Sequence, residues 1–346
     1  MTEIKYTSPQ GSGTVYTCHE PDQALAAIAP CWQEQRVFVV TEGNLAGLHS
    51  LPGTLRSFPC FTLPGGGETL KNQTVLNLIL SWLARYQASR RDWLVAIGGG
   101  ALTDVAGLAA CLYKRGMPLV TVPTTLLAQV DGGLGGKNAI NAFGLKNSLG
   151  SFWFPRAIIC ASKYLETLPL RQFNSGMGEV WKYRLLFAET DWRGLKSLGP
   201  RDVTHQFISR AIAYKCQVVA ADPLDLGERR RLNLGHTLAH ALEGVLPILH
   251  GEAVLWGLEF ALLAAVTSGH CPQEEARSAL RALASQPRLR LPRLAFSQLW
   301  PLLQGDKKNA ELTKITLILP SPGGQVAAEE FTRRELEECW RLMQKT

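Results

Sequence analysis

An α/β domain followed by a mainly helical domain is the fold predicted by the 346-residue sequence. Three observations predict it. In the first half, short β-rich apolar runs at 37–41, 93–97 and 119–122 alternate with helical stretches, the pattern of a parallel sheet. Beyond Pro169 such runs become scarce, and segments at 203–221, 230–245, 253–268 and 274–284 have helical spacing instead. The length allows two substantial cores. The expected division is 1–168 for the α/β domain and 169–346 for the helical domain.

The elements follow in order. Val37-Phe-Val-Val-Thr41, Trp93-Leu-Val-Ala-Ile97 and Leu119-Val-Thr-Val122 read as buried strands. Residues 74–87 place Leu76, Ile79, Leu80 and Leu83 on one side of a helix. Late in the chain, Lys314-Ile-Thr-Leu-Ile-Leu319 is expected to pair with Gln325-Val-Ala after the Pro322-Gly-Gly turn.

Composition narrows the class. A hydrophobic fraction of 46% and a charged fraction of 19% are those of an ordinary globular protein. No apolar run approaches the eighteen residues of a membrane span. The N-terminus lacks a charged-then-apolar signal pattern. The eight cysteines are scattered without a C-x-x-C pair and read as reduced, so the expected location is the cytoplasm. A formal charge of +7 permits an anionic substrate. The basic residues are dispersed and not interleaved with aromatics, which argues against nucleic-acid binding. Neither nucleic acid nor membrane is an expected partner.

Metal chemistry is the most specific signal. Three of the seven histidines fall between His236 and His250. His236 and His240 are four apart in a helical segment and project from one face. His250 follows in Leu249-His-Gly-Glu252, and a carboxylate is available in Gly178-Glu-Val-Trp-Lys182. Imidazole and carboxylate suit a divalent ion such as zinc, and three protein ligands leave one position open for substrate. Spacing does not say which two histidines bind, and Glu243 and Glu252 are further candidate carboxylates.

Two glycine-rich turns and a polar stretch suggest phosphate binding. Ile97-Gly-Gly-Gly-Ala-Leu-Thr-Asp104 ends a strand and opens a helix, where N–H groups and the helix dipole favour anions. It is not the G-x-G-x-x-G dinucleotide fingerprint. In Gly65-Gly-Gly-Glu-Thr-Leu-Lys71, Glu68 and Lys71 are candidates for sugar hydroxyls and a nucleotide base edge. Between Pro123 and Asn147, Asp131, Lys137, Lys146 and Asn147 surround Gly132, Gly133, Gly135 and Gly136, and lysines beside backbone donors suit a phosphate.

Taken together, the ordered series resembles the 3-dehydroquinate synthase family of sugar phosphate cyclases. It comprises Gly98-Gly-Gly…Asp104, Arg115-Gly, Val122-Pro-Thr-Thr-Leu-Leu-Ala-Gln-Val-Asp131, Gly135-Gly-Lys137, Lys146-Asn147, Ser175-Gly-Met-Gly-Glu179-Val-Trp-Lys182-Tyr, Leu232-Asn-Leu-Gly-His-Thr and Leu249-His-Gly-Glu-Ala-Val254. The resemblance implies an N-terminal Rossmann-like NAD-binding domain, a C-terminal helical metal-binding domain and a homodimer. It implies NAD and one Zn²⁺ (or Co²⁺) as cofactors, and it puts the metal on Glu179, His236 and His250. Catalytic positions fall on Lys137, Lys182, Asn233, His240 and Asp131. Substrate contacts fall on Arg115, Asn147, Lys215, Arg229 and Lys307, with Arg115 reaching the phosphate across the dimer. NAD contacts fall on Glu68, Lys71, Gly99, Gly100, Asp104, Thr124, Thr125, Lys146 and Thr167.

The implied substrate is a phosphorylated sugar acid, 3-deoxy-D-arabino-heptulosonate 7-phosphate. The implied steps are oxidation at C5, phosphate elimination, reduction, ring opening and intramolecular aldol closure. Lys215 and Arg229 suit the substrate carboxylate, which a buried site must compensate. They argue against relatives whose sugars carry none, the 2-deoxy-scyllo-inosose and 2-epi-5-epi-valiolone synthases. The sequence departs from the family pattern at Gly132-Gly133, where two serines are frequent, and at Asn174, Met177-Gly178 and Arg184. These departures leave room for an aminodehydroquinate synthase acting on an amino analogue. The rival class is an NAD-dependent metal alcohol dehydrogenase, which would accumulate NADH. A non-catalytic descendant would have lost a metal ligand or a site lysine, and none is missing.

Overall fold

The computed structural model describes residues 1–9, 11–32, 34–43, 51–187, 198–304 and 313–344. The chain forms two compact units. Met1–Pro169 joins Gly199–Leu224 in the first, and Leu170–Leu198 joins Asp225–Thr346 in the second.

The first unit contains β1 (Thr2–Ser8), β2 (Gly11–Cys18), α1 (Pro21–Ile28), β3 (Val37–Glu42), β4 (Cys60–Leu63), α2 (Gln73–Arg85), β5 (Trp93–Gly98), α3 (Gly100–Leu112) and β6 (Leu119–Pro123). The hairpin β7 (Lys137–Ala142) and β8 (Leu145–Phe152) and the strand β9 (Ala157–Ala161) follow. The chain then enters the second unit as α4 (Leu170–Leu186) and returns to the first as α5 (His205–Ala221).

Seven strands make one sheet in the order β1-β2-β9-β6-β5-β3-β4, parallel except for the β1–β2 hairpin. Its central strands are buried on both faces, as continuous apolar runs demand. Successive residues point to opposite faces. Phe38, Val40, Leu94, Ala96 and Leu119 therefore join α2 and α3 in one core. Val37, Val39, Val95, Ile97, Val120 and Val122 join α1 in the other. On α2, Asn72 caps the N-terminus by accepting from the Val75 N–H (2.9 Å), and Val75, Leu76, Ile79 and Leu83 are buried.

From β3 the chain moves outward to β4, then returns to β5 on the other side of β3. Strand order thus reverses between β3 and β5. The carboxyl ends of strands at such a reversal form the crevice where α/β sheets bind ligands.

One expectation is corrected here. The span 169–346 does not hold together as one helical unit, because α5 packs on β1, β2 and β9 of the sheet. Its inner face carries Ile208, Ala211, Ile212, Val218 and Val219, with Lys215 among them. An apolar helix face shows that a helix is covered but not by which element.

The second unit adds α6 (His236–Val245), α7 (His250–Thr267), α8 (Gln273–Ala284), α9 (Phe296–Gln304), β10 (Lys314–Ser321), β11 (Gln325–Thr332) and α10 (Arg333–Met343). β10 and β11 pair antiparallel as expected, Lys314 opposite Thr332 and Ser321 opposite Gln325. The central α7 is apolar nearly all round, as a core helix must be, and it contacts α4, α6, α8, α10 and β10. Among the described residues, no helix is long and apolar enough to cross a membrane.

Candidate active-site groups

Three helices of the second unit bring Glu179, His236 and His250 together. Glu179 lies mid-way along α4, His236 opens α6 and His250 opens α7. Close backbone approach makes this possible, and glycine permits it. A Cβ on Gly251 would overlap the Ser175 carbonyl oxygen of α4, and one on Gly178 would overlap the Gly251 carbonyl. A Cβ on Gly257 would likewise overlap the carbonyl of Gly235, whose φ is +79°. Each ligand is thus next to a glycine that fixes its helix. The α4–α7 contact is fastened further where the Gly251 N–H donates to Ser175 Oγ (3.0 Å). Arg171 donates to both oxygens of Glu252 (3.0 and 2.9 Å), and Glu252 also accepts from the Leu249 N–H (2.9 Å). Glu252 is therefore committed to holding the helix start.

The donor geometry fits one divalent ion. His250 Nε2 is 3.2 Å and His236 Nε2 3.4 Å from Glu179 Oε1. One ligand atom from each of the three residues lies within 4.8 Å of the others. Neighbouring ligands around a tetrahedral zinc with bonds near 2.0–2.1 Å are about 3.3–3.4 Å apart. Glu179 is fully buried, and its other oxygen pairs with the buried Lys182 ammonium. Burial alone would raise the Glu179 carboxyl, but Lys182, His236 and His250 outweigh it and hold it well below the usual range. Burial, reinforced by Lys182, lowers His236. Burial also acts to lower His250, yet Glu179 and Glu243 push it up to about 10. A buried anion beside two imidazoles attracts positive charge, whether as protons or as a metal.

His240 lies one turn beyond His236 and is exposed, its ring 5.6 Å from that of His236 and 6.5 Å from that of His250. Arg229 and Asn233 lie in the short helical turn Glu228–Asn233 before α6, with Arg229 only 4% exposed and Asn233 half-buried. Lys307 lies outside the described residues.

In the first unit, the strand-order reversal carries the glycine turns. Glu42 ends β3 and accepts from the Gly99 N–H (2.7 Å) and the Gly67 N–H (3.3 Å), tying the two turns together. Gly99 and Gly100 open α3. The Thr124 N–H donates to the Gly98 carbonyl (2.9 Å), and Thr125 Oγ1 accepts from the Ala128 N–H (3.3 Å).

Beside them is a polar cluster. Lys71 Nζ donates to Asp104 Oδ2 (2.6 Å) and to the side-chain oxygen of Asn147. Asn141 donates to Glu68 Oε1 (2.8 Å) and accepts from the Asn147 N–H (2.9 Å). Burial pushes Asp104 up to about 6 against the opposing charge of Lys71. Asn147 was expected on the substrate phosphate; its side-chain oxygen accepts from Lys71 and its N–H donates to Asn141. The hairpin β7–β8 explains the placement, because its turn returns Asn147 opposite Asn141.

Lys215 was expected on the substrate carboxylate. Its ammonium, 5% exposed by residue, donates to Asp131 at both the main-chain oxygen (2.5 Å) and Oδ1 (2.7 Å). The two residues form one charge-assisted unit. Arg115, Lys137, Lys146 and Thr167 are exposed. Arg115 has φ +65°, next to Lys114 at +48°. Sequence reasoning assigned Asn141 no role, marked Glu42 only as standing near an often acidic or amide-bearing position of the family's NAD site, and offered Glu243 as a ligand rather than as the carboxylate behind His250. Glu42 had one legible signal, an acidic residue at the end of a buried strand facing two glycine turns.

Comparison with known proteins gives consistent findings. A family model described as 3-dehydroquinate synthase N-terminal matches residues 61–175, and one described as 3-dehydroquinate synthase C-terminal matches residues 176–309. The 3-dehydroquinate synthase of Cereibacter sphaeroides is 37% identical over 328 residues, 88% of this chain and 87% of that protein. The 2-epi-valiolone synthase of Actinosynnema mirum is 34% identical over 346 residues, 93% of this chain and 89% of that protein. Among solved structures, 2-deoxy-scyllo-inosose synthase complexed with carbaglucose-6-phosphate, NAD+ and Co2+ has a TM-score of 0.87 at 24% identity, covering 99% of both chains. At that identity the likeness establishes the fold.

Proposed function

This chain belongs to the 3-dehydroquinate synthase family, and on that premise we propose that it converts 3-deoxy-D-arabino-heptulosonate 7-phosphate to 3-dehydroquinate and phosphate. The observation that carries the reading is the convergence of Glu179, His236 and His250 at tetrahedral ligand spacing. The reaction is a phosphate-eliminating cyclisation with no net redox change. We take the enzyme to be cytoplasmic, in keeping with the eight free cysteines, and homodimeric, as the family resemblance implies.

Glu179, His236 and His250 would hold the divalent ion, Zn²⁺ or Co²⁺, and the glycine turns that Glu42 ties together would take NAD. The ion would supply Lewis acidity and a template for the substrate hydroxyls, and the nicotinamide would supply a reversible hydride acceptor. Lys182 keeps the buried Glu179 ionised and ready for a cation. Asp104, Lys71, Glu68 and Asn147 form a preorganised polar wall for the nucleotide. Gly99, Gly100, Thr124, Thr125, Lys146 and Thr167 complete that binding set. His240, Lys137, Arg115 and Lys307 take the phosphate, and Asn233 and Asp131 orient the reacting carbons.

Arg229 and Lys215 receive the carboxylate, and both are buried cations. A buried cation needs an anion, and Lys215 has one in Asp131. Carboxylate binding at Lys215 then proceeds by joining or exchanging with Asp131. The similarity to a 2-epi-valiolone synthase favours, as a second reading, a cyclase for a sugar phosphate without a carboxylate. Replacing Arg229 by alanine separates the two. If the substrate is the sugar acid, kcat/KM falls by about 10²-fold or more, the loss of a charge-assisted bidentate contact of about 3 kcal/mol, while NAD affinity is unchanged. An Arg229→Ala enzyme as active as the parent places the carboxylate elsewhere or removes it from the substrate. Mass identification of the carbocycle formed from the seven-carbon keto acid phosphate tests the substrate directly.

A further inference from the structure

The two imidazoles of the metal site are backed unequally. His236 Nδ1 faces the main-chain oxygen of Leu234 at 3.1 Å, a neutral acceptor. His250 Nδ1 faces Glu243 Oε1 at 3.5 Å, a carboxylate with 14% of its side chain exposed. Both rings therefore turn Nε2 toward Glu179, and both need a proton on Nδ1 to satisfy the group behind. Glu243 lies seven residues beyond His236 on α6, two turns along the same face. One helix thus supplies a ligand of its own and the carboxylate behind a ligand from α7. The sequence had left Glu243 as a candidate ligand, but the donor cluster does not include it.

We propose that Glu243 is a positioning residue for the metal site, fixing the tautomer and orientation of His250 and strengthening that imidazole as a donor. The inference rests on the reading of Glu179, His236 and His250 as metal ligands. Carboxylates behind ligating histidines orient the ring and raise its basicity, and their loss typically costs 10–100-fold in metal affinity. The charge also has a place in the local balance. Glu179 is already paired with Lys182, so Glu243 supplies the additional negative charge near a divalent ion.

The test is zinc affinity of the metal-stripped full-length protein, measured by competition with a chromophoric chelator, for the parent, Glu243→Gln, Glu243→Asp and the surface control Glu330→Gln. Glu330 pairs with Lys314 on the solvent-exposed face of the β10–β11 hairpin. The expected result is zinc binding weakened about 10–100-fold in Glu243→Gln, no change in Glu330→Gln, and a metal-free melting temperature for Glu243→Gln close to that of the parent. A role confined to folding would lower that melting temperature and leave zinc affinity alone. Zinc affinity in Glu243→Gln within twofold of the parent overturns the proposal. If the glutamine variant does not fold, Glu243→Asp decides. Its charge stands further back, so binding weakens about tenfold if Glu243 acts as proposed and is unchanged if it does not. A parent that binds no zinc overturns the metal reading itself, a separate result from a parent that binds normally beside an unaffected variant.

Discussion

Replacing His236 by alanine removes zinc from the protein and lowers turnover by about 10³-fold or more. The chemical reason is the value of the ion as Lewis acid, several kcal/mol of charge stabilisation, with each 1.36 kcal/mol worth about tenfold in rate. His236 contributes one of three donors, and two remaining donors do not make a closed ligand set. The substitution also leaves Glu179 fully buried with one cationic or hydrogen-bonding neighbour fewer, so that Lys182 and His250 are left to balance it. Metal analysis by mass spectrometry together with steady-state kinetics reads both effects. Full turnover with less than a tenth of the parent's zinc content would show that chemistry proceeds without this centre.

Gly251→Ala is the second large effect, and it acts through packing. The new methyl would overlap the Ser175 carbonyl oxygen on α4, an obstacle made of backbone, so no rotamer change relieves it. Overpacking usually costs about 1–3 kcal/mol, and an obstacle of this kind belongs at the upper end. Because Gly251 follows His250 and Ser175 lies one turn before Glu179, α4 and α7 can separate only by moving two ligands apart. Stability and zinc affinity therefore fall together. Gly132→Ala is the contrast, since it sits in a helical turn without positive φ and a Cβ there meets nothing within 4 Å; its effect on stability should stay within about 0.5 kcal/mol. Urea unfolding and zinc titration of both variants check this. Loss of stability in Gly251→Ala with unchanged zinc affinity would separate the helix contact from the metal site.

Much of the fold was legible in the sequence, for a physical reason. Buried parallel strands are continuous apolar runs, and 37–41, 93–97 and 119–122 are such runs, so the sheet core was visible. The hairpin β7–β8 was not. Its strands mix Lys, Asn, Ser and Gly with scattered Ala, Ile and Leu and contain no continuous apolar run, and its residues read as a glycine-rich loop. That concealment also hid the place of Asn147, because a turn that brings it back to Asn141 and Lys71 exists only once the strands pair. The position of α5 was hidden for another reason. An amphipathic face is satisfied by any apolar surface, and periodicity cannot say that this surface is the sheet.

At the site, helical spacing placed His236 and His240 on one face but left open which of them binds metal. The resemblance assigned His236, His250 and Glu179, and it is these three that cluster. Glu243 was legible only as a candidate ligand, because its place behind His250 depends on a ring nitrogen of a residue on another helix. Lys215 and Asp131 were both anticipated as site residues, but not their ion pair, since 84 residues separate them in sequence.

In the proposed reaction the oxidation is internal, so NAD is restored in each turnover. The most direct measurement supplies the zinc-loaded enzyme with the seven-carbon keto acid phosphate and NAD+ at a small fraction of the substrate concentration, and follows inorganic phosphate and NADH absorbance together. Phosphate should be released in large excess over NAD+ while NADH stays at or below the enzyme concentration. Stoichiometric NADH without phosphate release would contradict internal oxidation and identify a dehydrogenase.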